Sequence, residues 1–349
     1  MRNGSARCGN PISFIEMHGR FRLAGLLALT TAAACAHLQP ASGSEIPLRV
    51  MTYNIRSGNG NLAGTAAAIR ASAPDIVGLQ EVDVHWAERS NFVDQATILG
   101  QQLNMQVRFA RIYQFAGAQP QDPPREFGVA LLSRFPILEW SNHIITRLST
   151  QESNPVPAPL PGFLEAKLDV RGVTVRVFNT HLDYRSDPRV REQQVKEMLG
   201  YIGEPSAPTL LFGDLNAPPE ASEIQPLLER LHDAWPASAG PGLTDPADEP
   251  RKRIDYVLVS NHFQVRSAAV PVTLASDHRP VVFDLVLRRT DRGARPATSI
   301  LKRGAESLAA SQLAAKKRAR KRSQLDSCKA LRSPLQYCGC QSASPNHAC

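Results

Sequence analysis

No cysteine stands between Cys35 and Cys328 in this 349-residue chain; all six lie near the ends, at Cys8, Cys35, Cys328, Cys338, Cys340 and Cys349. That absence excludes a disulfide framework or a thiolate metal centre from the middle and leaves the redox compartment open. The four C-terminal cysteines match no familiar zinc module. A broad basic face is missing as well. The formal net charge is +8, yet residues 288–349 hold 14 Lys and Arg against 3 Asp and Glu, and residues 1–44 hold 4 against 1. Residues 45–287 therefore carry 22 basic and 28 acidic side chains, a net −6. The far field of such a segment repels polyanions, which argues against tracking a nucleic-acid backbone. No internal repeat stands out, and the length allows one large domain or two ordinary ones.

The two ends differ from the middle. Arg20-Phe21-Arg22 precedes the apolar run Leu23 to Leu29, which is too short to cross a bilayer and ends in small residues. That pattern predicts a secretory signal over residues 1–36, with Met17 as an alternative start. Ala32-Ala33-Ala34-Cys35 resembles a bacterial lipobox, and ordinary cleavage after Ala36 competes with it. Residues 37–46 read as a Pro/Ser/Gly linker. From Arg288 onward large apolar residues thin out and Lys316 to Arg322 runs basic, which predicts a disordered tail over 288–349, or an arm for nucleic acid or anionic lipid. The expected protein is exported, periplasmic or extracellular, and monomeric. Membrane contact would come only through a lipid anchor or the tail.

Between those ends, short apolar strands alternate with helical segments. Strands are predicted over 48–55, 75–82, near 107–112 and 127–133, over 163–170 and 173–180 as a hairpin around Arg171-Gly172, and over 210–214, 254–259, 264–270 and 281–287. Helices are predicted over 65–73, 94–103, about 188–202 with Ser186-Asp187-Pro188 as the cap, and 222–231. Residues 117–124 and 150–162 read as loops, the second carrying four prolines. Strands interleaved with helices, many at hairpin distance, predict an α/β protein with two sheets rather than one parallel sheet.

Polar groups stand at the ends of these strands: Asn54, Glu81, His181, Asp214 with Asn216, Asp255, and Asp277 with His278. Leu210-Leu211-Phe212-Gly213-Asp214-Leu215-Asn216 delivers a carboxylate and an amide two residues apart, hence to one face of an extended chain. An Asx turn explains that pair equally well. Taken singly, Asn54 could cap a turn, His181 could be a satisfied core histidine, and Asp255 could pair with Arg253 or Arg279. All of them together, each flanked by apolar strand residues, suggest one site.

The ordered set Thr52-Tyr53-Asn54-Ile55, Leu79-Gln80-Glu81-Val82-Asp83, Ala130 to Ile137, Asn179-Thr180-His181-Leu182, Gly213-Asp214-Leu215-Asn216, Arg253-Ile254-Asp255-Tyr256 and Ser276-Asp277-His278-Arg279-Pro280-Val281 resembles the endonuclease/exonuclease/phosphatase superfamily. These metal-dependent phosphoesterases include pancreatic-type deoxyribonuclease, AP endonucleases, inositol polyphosphate phosphatases and bacterial sphingomyelinases. The similarity covers roughly 47–287 and implies a four-layer α/β/β/α sandwich of two packed mixed sheets, with the active site where strand ends of both sheets meet. It also implies Mg²⁺, or Mn²⁺, on Glu81, with Asn54 as ligand or hydrogen-bond support and Asp277 as a second ligand. By resemblance Asp214 activates the attacking water and Asn216 donates to phosphoryl oxygens. His278, held cationic by Asp255, contacts the phosphate, and His181 adds a donor. Arg89 and Arg125 are read as phosphate clamps or as solvated surface arginines. Val129 stands where many relatives place Asn, and Tyr113 is the nearest counterpart to a tyrosine of the nuclease branches.

The expected activity is hydrolysis of a phosphodiester or phosphomonoester of the lipid-headgroup, sugar or inositol phosphate class, because an acidic domain suits a non-polymeric substrate better than DNA. A nuclease on DNA or RNA is the alternative, and a non-catalytic phosphate-binding module the second.

Overall fold

The computed structural model describes residues 45–289. The expected signal segment, all of the linker but its last two residues, and all of the tail but Arg288 and Arg289 lie outside the described residues. Two six-stranded sheets carry the chain. The first contains β1 (Glu45–Asn54), β2 (Ile76–Val84), β3 (Gln106–Phe115), β4 (Arg125–Ser133), β11 (Phe263–Ala269) and β12 (Val281–Arg288), in the order β11-β12-β1-β2-β4-β3. The second contains β5 (Ile137–Arg147), β6 (Ala158–Val170), β7 (Val173–His181), β8 (Thr209–Asp214), β9 (His232–Asp233) and β10 (Asp255–Val259), in the order β5-β6-β7-β8-β10-β9. Each sheet is mixed: β1 runs parallel to β2 and β7 parallel to β8, while the other pairs are antiparallel.

Strand alternation sorts the apolar residues into layers. In β1, Ile46, Leu48 and Val50 face the core between the sheets, whereas Met51 and Tyr53 face outward. The inner core joins them to Ile76, Val129 and Leu131 of the first sheet and to Leu164, Val177, Leu210, Phe212 and Val257 of the second. Outside the first sheet, α1 (Leu62–Ser72) and α2 (Gln95–Leu103) bury Ala66, Ile69, Ala96 and Leu99 against Met51, Tyr53 and Leu79. Outside the second, α3 (Arg189–Ile202) and α4 (Gln225–Arg230) bury Val195, Met198 and Leu227 against Phe163, Phe178 and Leu211. The result is the four-layer α/β/β/α sandwich.

The sheets approach closely near the site. A Cβ on Gly78 would lie 2.5 Å from Cβ of Phe212, so only glycine fits there. Beside it Asn179, fully buried in β7, donates to the carbonyls of Leu79 and Ala130 across the gap, both at 2.9 Å, and accepts from Gln80 at 2.7 Å. One amide thereby ties the two sheets together.

Three expectations need correction. The strand β5 was absent from the sequence reading, and β6 starts at Ala158, inside the expected proline loop. Pro159 and Pro161 are tolerated because β7 pairs with β6 only from Leu164 on, so this end of β6 is locally an edge. The first strand, β1, begins at Glu45, and Ile46 belongs to the core. The α3 start also differs: the helix begins at Arg189 with Pro188 in the cap position rather than the first helical one, and Asp187 accepts the Arg189 N–H at 3.1 Å.

Candidate active site

Strand register builds half of the site. His181 of β7 lies opposite Asp214 of β8, and Asp214 lies opposite Asp255 of β10. Directly opposed residues project to one face, so these three form a row across the end of the second sheet. Asp214 is 1% exposed, and its Oδ2 lies 3.5 Å from His181 Nε2. His278 enters from the segment ahead of β12 and places Nδ1 2.9 Å from Asp255 Oδ2 and Nε2 3.8 Å from Asp214 Oδ2. Burial opposes a charged imidazole, but the Asp255 carboxylate, its hydrogen bond, and the charges of Asp214 and Asp277 together raise His278 to about 11. Burial pushes Asp255 upward, opposed by His278 and by the Thr244 hydroxyl, which donates to Oδ2 at 2.6 Å. At that geometry the pair is an imidazolium facing a carboxylate.

The first sheet supplies the other half. Asn54 closes β1, and its side-chain Nδ2 donates to Glu81 Oε1 and to Asp214 Oδ2, both at 3.0 Å. Its Oδ1 accepts the Arg56 N–H at 3.0 Å, which fixes the amide orientation. Asn54 is thus a hydrogen-bond bridge between two carboxylates here. Glu81 sits at an irregularity in the β2–β4 pairing between Leu79 and Val82, with φ +56°. That left-handed conformation is strained for glutamate and turns its side chain toward the cleft. Among the described residues Glu81 has one side-chain hydrogen bond, from Asn54, and enters no ion pair. A partly buried carboxylate with open lone pairs, beside a second carboxylate, fits a hard divalent cation. Asp214, Asp255 and His278 also offer one ligand atom each within 4.8 Å of one another. A protonated imidazole has no lone pair to give, so the Glu81 side fits a cation better.

Glu81, His181, Asp214 and His278 line a cleft of about 490 Å³. Asn216 lines it with φ +49°; its N–H donates to Asp214 Oδ1 at 2.9 Å and its side-chain amide to the Leu182 carbonyl at 3.0 Å. Arg89 lines it too, with its guanidinium held by buried Asp83 through two 2.9 Å bonds. The structure does not bring Arg125 there: it donates to the Ala116 carbonyl and lines a separate cavity with His85 and Phe92. Asp277 stands beside His278 but outside the cleft lining, 3.2 Å from Arg56 Nη1. Val129 is packed in the inner core, while Tyr113 does reach the cleft and accepts the Thr150 N–H at 2.9 Å. Asp255 pairs with neither Arg253, which binds Asp233, nor Arg279, which binds the Ala247 carbonyl.

Several neighbours escaped the sequence reading. Thr244 supports Asp255, and Asp245 Oδ1 lies 3.9 Å from His278 Nε2. Arg147, Thr150 and Gln151 also line the cleft. None belongs to a motif quoted above, so only proximity identifies them.

The family model described as Endonuclease/Exonuclease/phosphatase family matches residues 51–278, well over half of the chain. The chain belongs to this family. Sphingomyelinase C of Bacillus cereus is 24% identical over 260 residues, covering 61% of this chain and 75% of that protein. The endonuclease/exonuclease/phosphatase of Beutenbergia cavernae is 25% identical with a TM-score of 0.53, over 69% of this chain and 72% of that one. The human Nocturnin catalytic domain with bound sulfate anion is 22% identical with a TM-score of 0.53, over 69% and 96%, a likeness of fold. The family is one of phosphoesterases and nucleases, generally dependent on divalent metal, and the Asp214, Asp255 and His278 group is compatible with that chemistry.

Proposed function

We propose that this protein is an exported phosphoesterase, dependent on Mg²⁺ or Mn²⁺, that hydrolyses a small phosphate ester with a lipid-headgroup, sugar or inositol leaving group. One observation carries the reading: Asn54 bridges Glu81 and Asp214 while His181 and His278 both face the same Asp214 oxygen. Glu81 would hold the cation, with Asp277 the second carboxylate assigned to it, and the bound ion would offset phosphoryl charge. Asp214 orients the attacking water and takes its proton at Oδ2. His278, kept protonated by Asp255, donates from Nε2 to a phosphoryl oxygen, and His181 donates beside it. Asn216 offers the second N–H of its amide. The net charge of −6 over residues 45–287 favours a small ester over a polynucleotide. Export rests on the pattern of residues 20–36; among the described residues no helix is long and apolar enough to cross a membrane.

The test is a panel of inositol phosphate, lysophospholipid, glycerol phosphate and plasmid DNA, each incubated with the full chain and Mg²⁺, with and without chelator. Chelator-sensitive turnover of the small esters is expected. Turnover unaffected by chelator rejects the metal requirement, and plasmid nicking that collapses with salt moves the assignment to nuclease.

A further inference from the structure

Arg147 ends β5 and is 5% exposed, yet among the described residues it forms no ion pair with a carboxylate. Its hydrogen bonds all go to neutral carbonyls: Nε to Pro161 at 3.0 Å, Nη2 to Gly162 at 3.0 Å and Nη1 to His181 at 2.8 Å. Burial pushes the group down to about 10, opposed by Tyr113 and Asp183. Asp183 is the carboxylate whose charge reaches it, but Arg185 holds Asp183 through its side chain and its backbone N–H. Buried guanidinium groups are ordinarily paired, because an uncompensated charge is costly to desolvate. Carbonyl dipoles solvate this one without neutralising it. The charge stands on the wall of the cleft that also holds Glu81, Asp214 and His278, and one of its three bonds fixes the residue whose ring faces Asp214.

We propose that Arg147 is a positioning residue for an anionic ligand, clamping the end of β7 so that His181 faces Asp214 and lending the cleft a fixed positive charge that favours a phosphoryl group. The inference rests on the phosphoesterase reading and deepens it. A role confined to folding needs the three carbonyl bonds but not the charge, and that difference is measurable. A buried charge is screened far less than a surface one, so its removal is felt across the cleft.

The experiment compares the full chain with Arg147→Lys and Arg147→Gln, using inorganic phosphate as calorimetric probe in Mg²⁺, together with Tm, kcat and KM on the best ester. Phosphate affinity is expected to fall about tenfold or more in Arg147→Gln and by about threefold or less in Arg147→Lys, while both lose similar Tm because neither keeps the three-point clamp. In turnover, Arg147→Lys should keep KM near the wild-type value with kcat reduced, since an ammonium supplies charge without the fork. Equal phosphate affinities in the two variants, or no phosphate binding by the wild type, overturns the proposal. If Arg147→Gln does not fold, Arg147→Lys decides alone: phosphate affinity lost while Tm is retained rejects it, and affinity retained with kcat reduced upholds it. Charge-dependent phosphate binding without turnover of any ester would sink the hydrolase reading and leave this inference standing. Turnover with indistinguishable Lys and Gln variants does the reverse.

Discussion

The two walls of the cleft are built on different principles. One consists of Glu81, His181 and Asp214, where strand register fixes His181 and Asp214, and buried Asn54 and Asp255 hold the group from behind. The other consists of Tyr113, Arg147, Thr150 and Gln151, where a proline-bearing segment is held by side chains reaching backbone: the Tyr113 hydroxyl on Thr150, Arg185 on Leu148 and Ser149, and Arg147 on Pro161 and Gly162. A register-built wall supplies a rigid reactive constellation. Loop residues such as Thr150 and Gln151 can change with substrate while the sheets stay as they are. Chemistry is expected on the first wall, supported from the second by Arg147, and choice of leaving group from Thr150 and Gln151.

The strongest attempt to break that contrast is Asp214→Asn. It should cut kcat by about 10²-fold or more with the fold retained, since it removes the assigned base; near-normal kcat would end the contrast at once. Glu81→Gln should raise the Mg²⁺ concentration for half-maximal activity by more than about tenfold, read from a metal titration, because one carboxylate ligand is lost. Gln151→Ala on the other wall should leave kcat for a minimal ester within about threefold and alter relative kcat/KM among esters. A loss there as large as for Asp214 would mean the walls do not divide the work.

Two further measurements concern the frame behind both walls. Asn179→Ala leaves the Leu79 and Ala130 carbonyls without their donor between the sheets, so denaturant unfolding should show a loss of about 2–3 kcal/mol. An unchanged midpoint would show that the sheets do not depend on this amide. Glu165 gives the smallest effect. Burial would raise its carboxyl, but the hydrogen bonds from His143 and Arg176 hold it below the usual value of 4.5. A lowered folded pKa means the contribution is complete above the unfolded value and is lost as pH falls through the folded one. Glu165→Gln should therefore reduce stability at neutral pH by about 1 kcal/mol or less and flatten its decline below about pH 4.5. A wild-type curve and a variant curve that stay parallel there would remove Glu165 from the account.

What was legible in the sequence follows the same division. The β8 run ends in Asp214 because apolar residues bury it on both faces, and that is visible as Leu210-Leu211-Phe212. The strand β5 was not visible: Leu138, Glu139, Trp140 and Ser141 are all exposed on an edge strand, so no alternation marks it. Thr244 and Asp245 precede β10 by ten residues or more and carry no periodic signal, though Thr244 lies 2.6 Å from Asp255. Nothing in the sequence marks Arg147, because burial is not written in residue type.

The amino-acid order by itself determined the layers and the polar strand ends, since alternation of apolar and polar residues is a local property that any extended segment must obey. Tertiary structure alone decided which ends meet. Asn54 and Asp214 are separated by 160 positions yet joined at 3.0 Å, and the Asp255 carboxylate selects His278 over Arg253 and Arg279. Pairing of that kind depends on sheet register and on the packing of one sheet against the other, and both are summed over all the described strands.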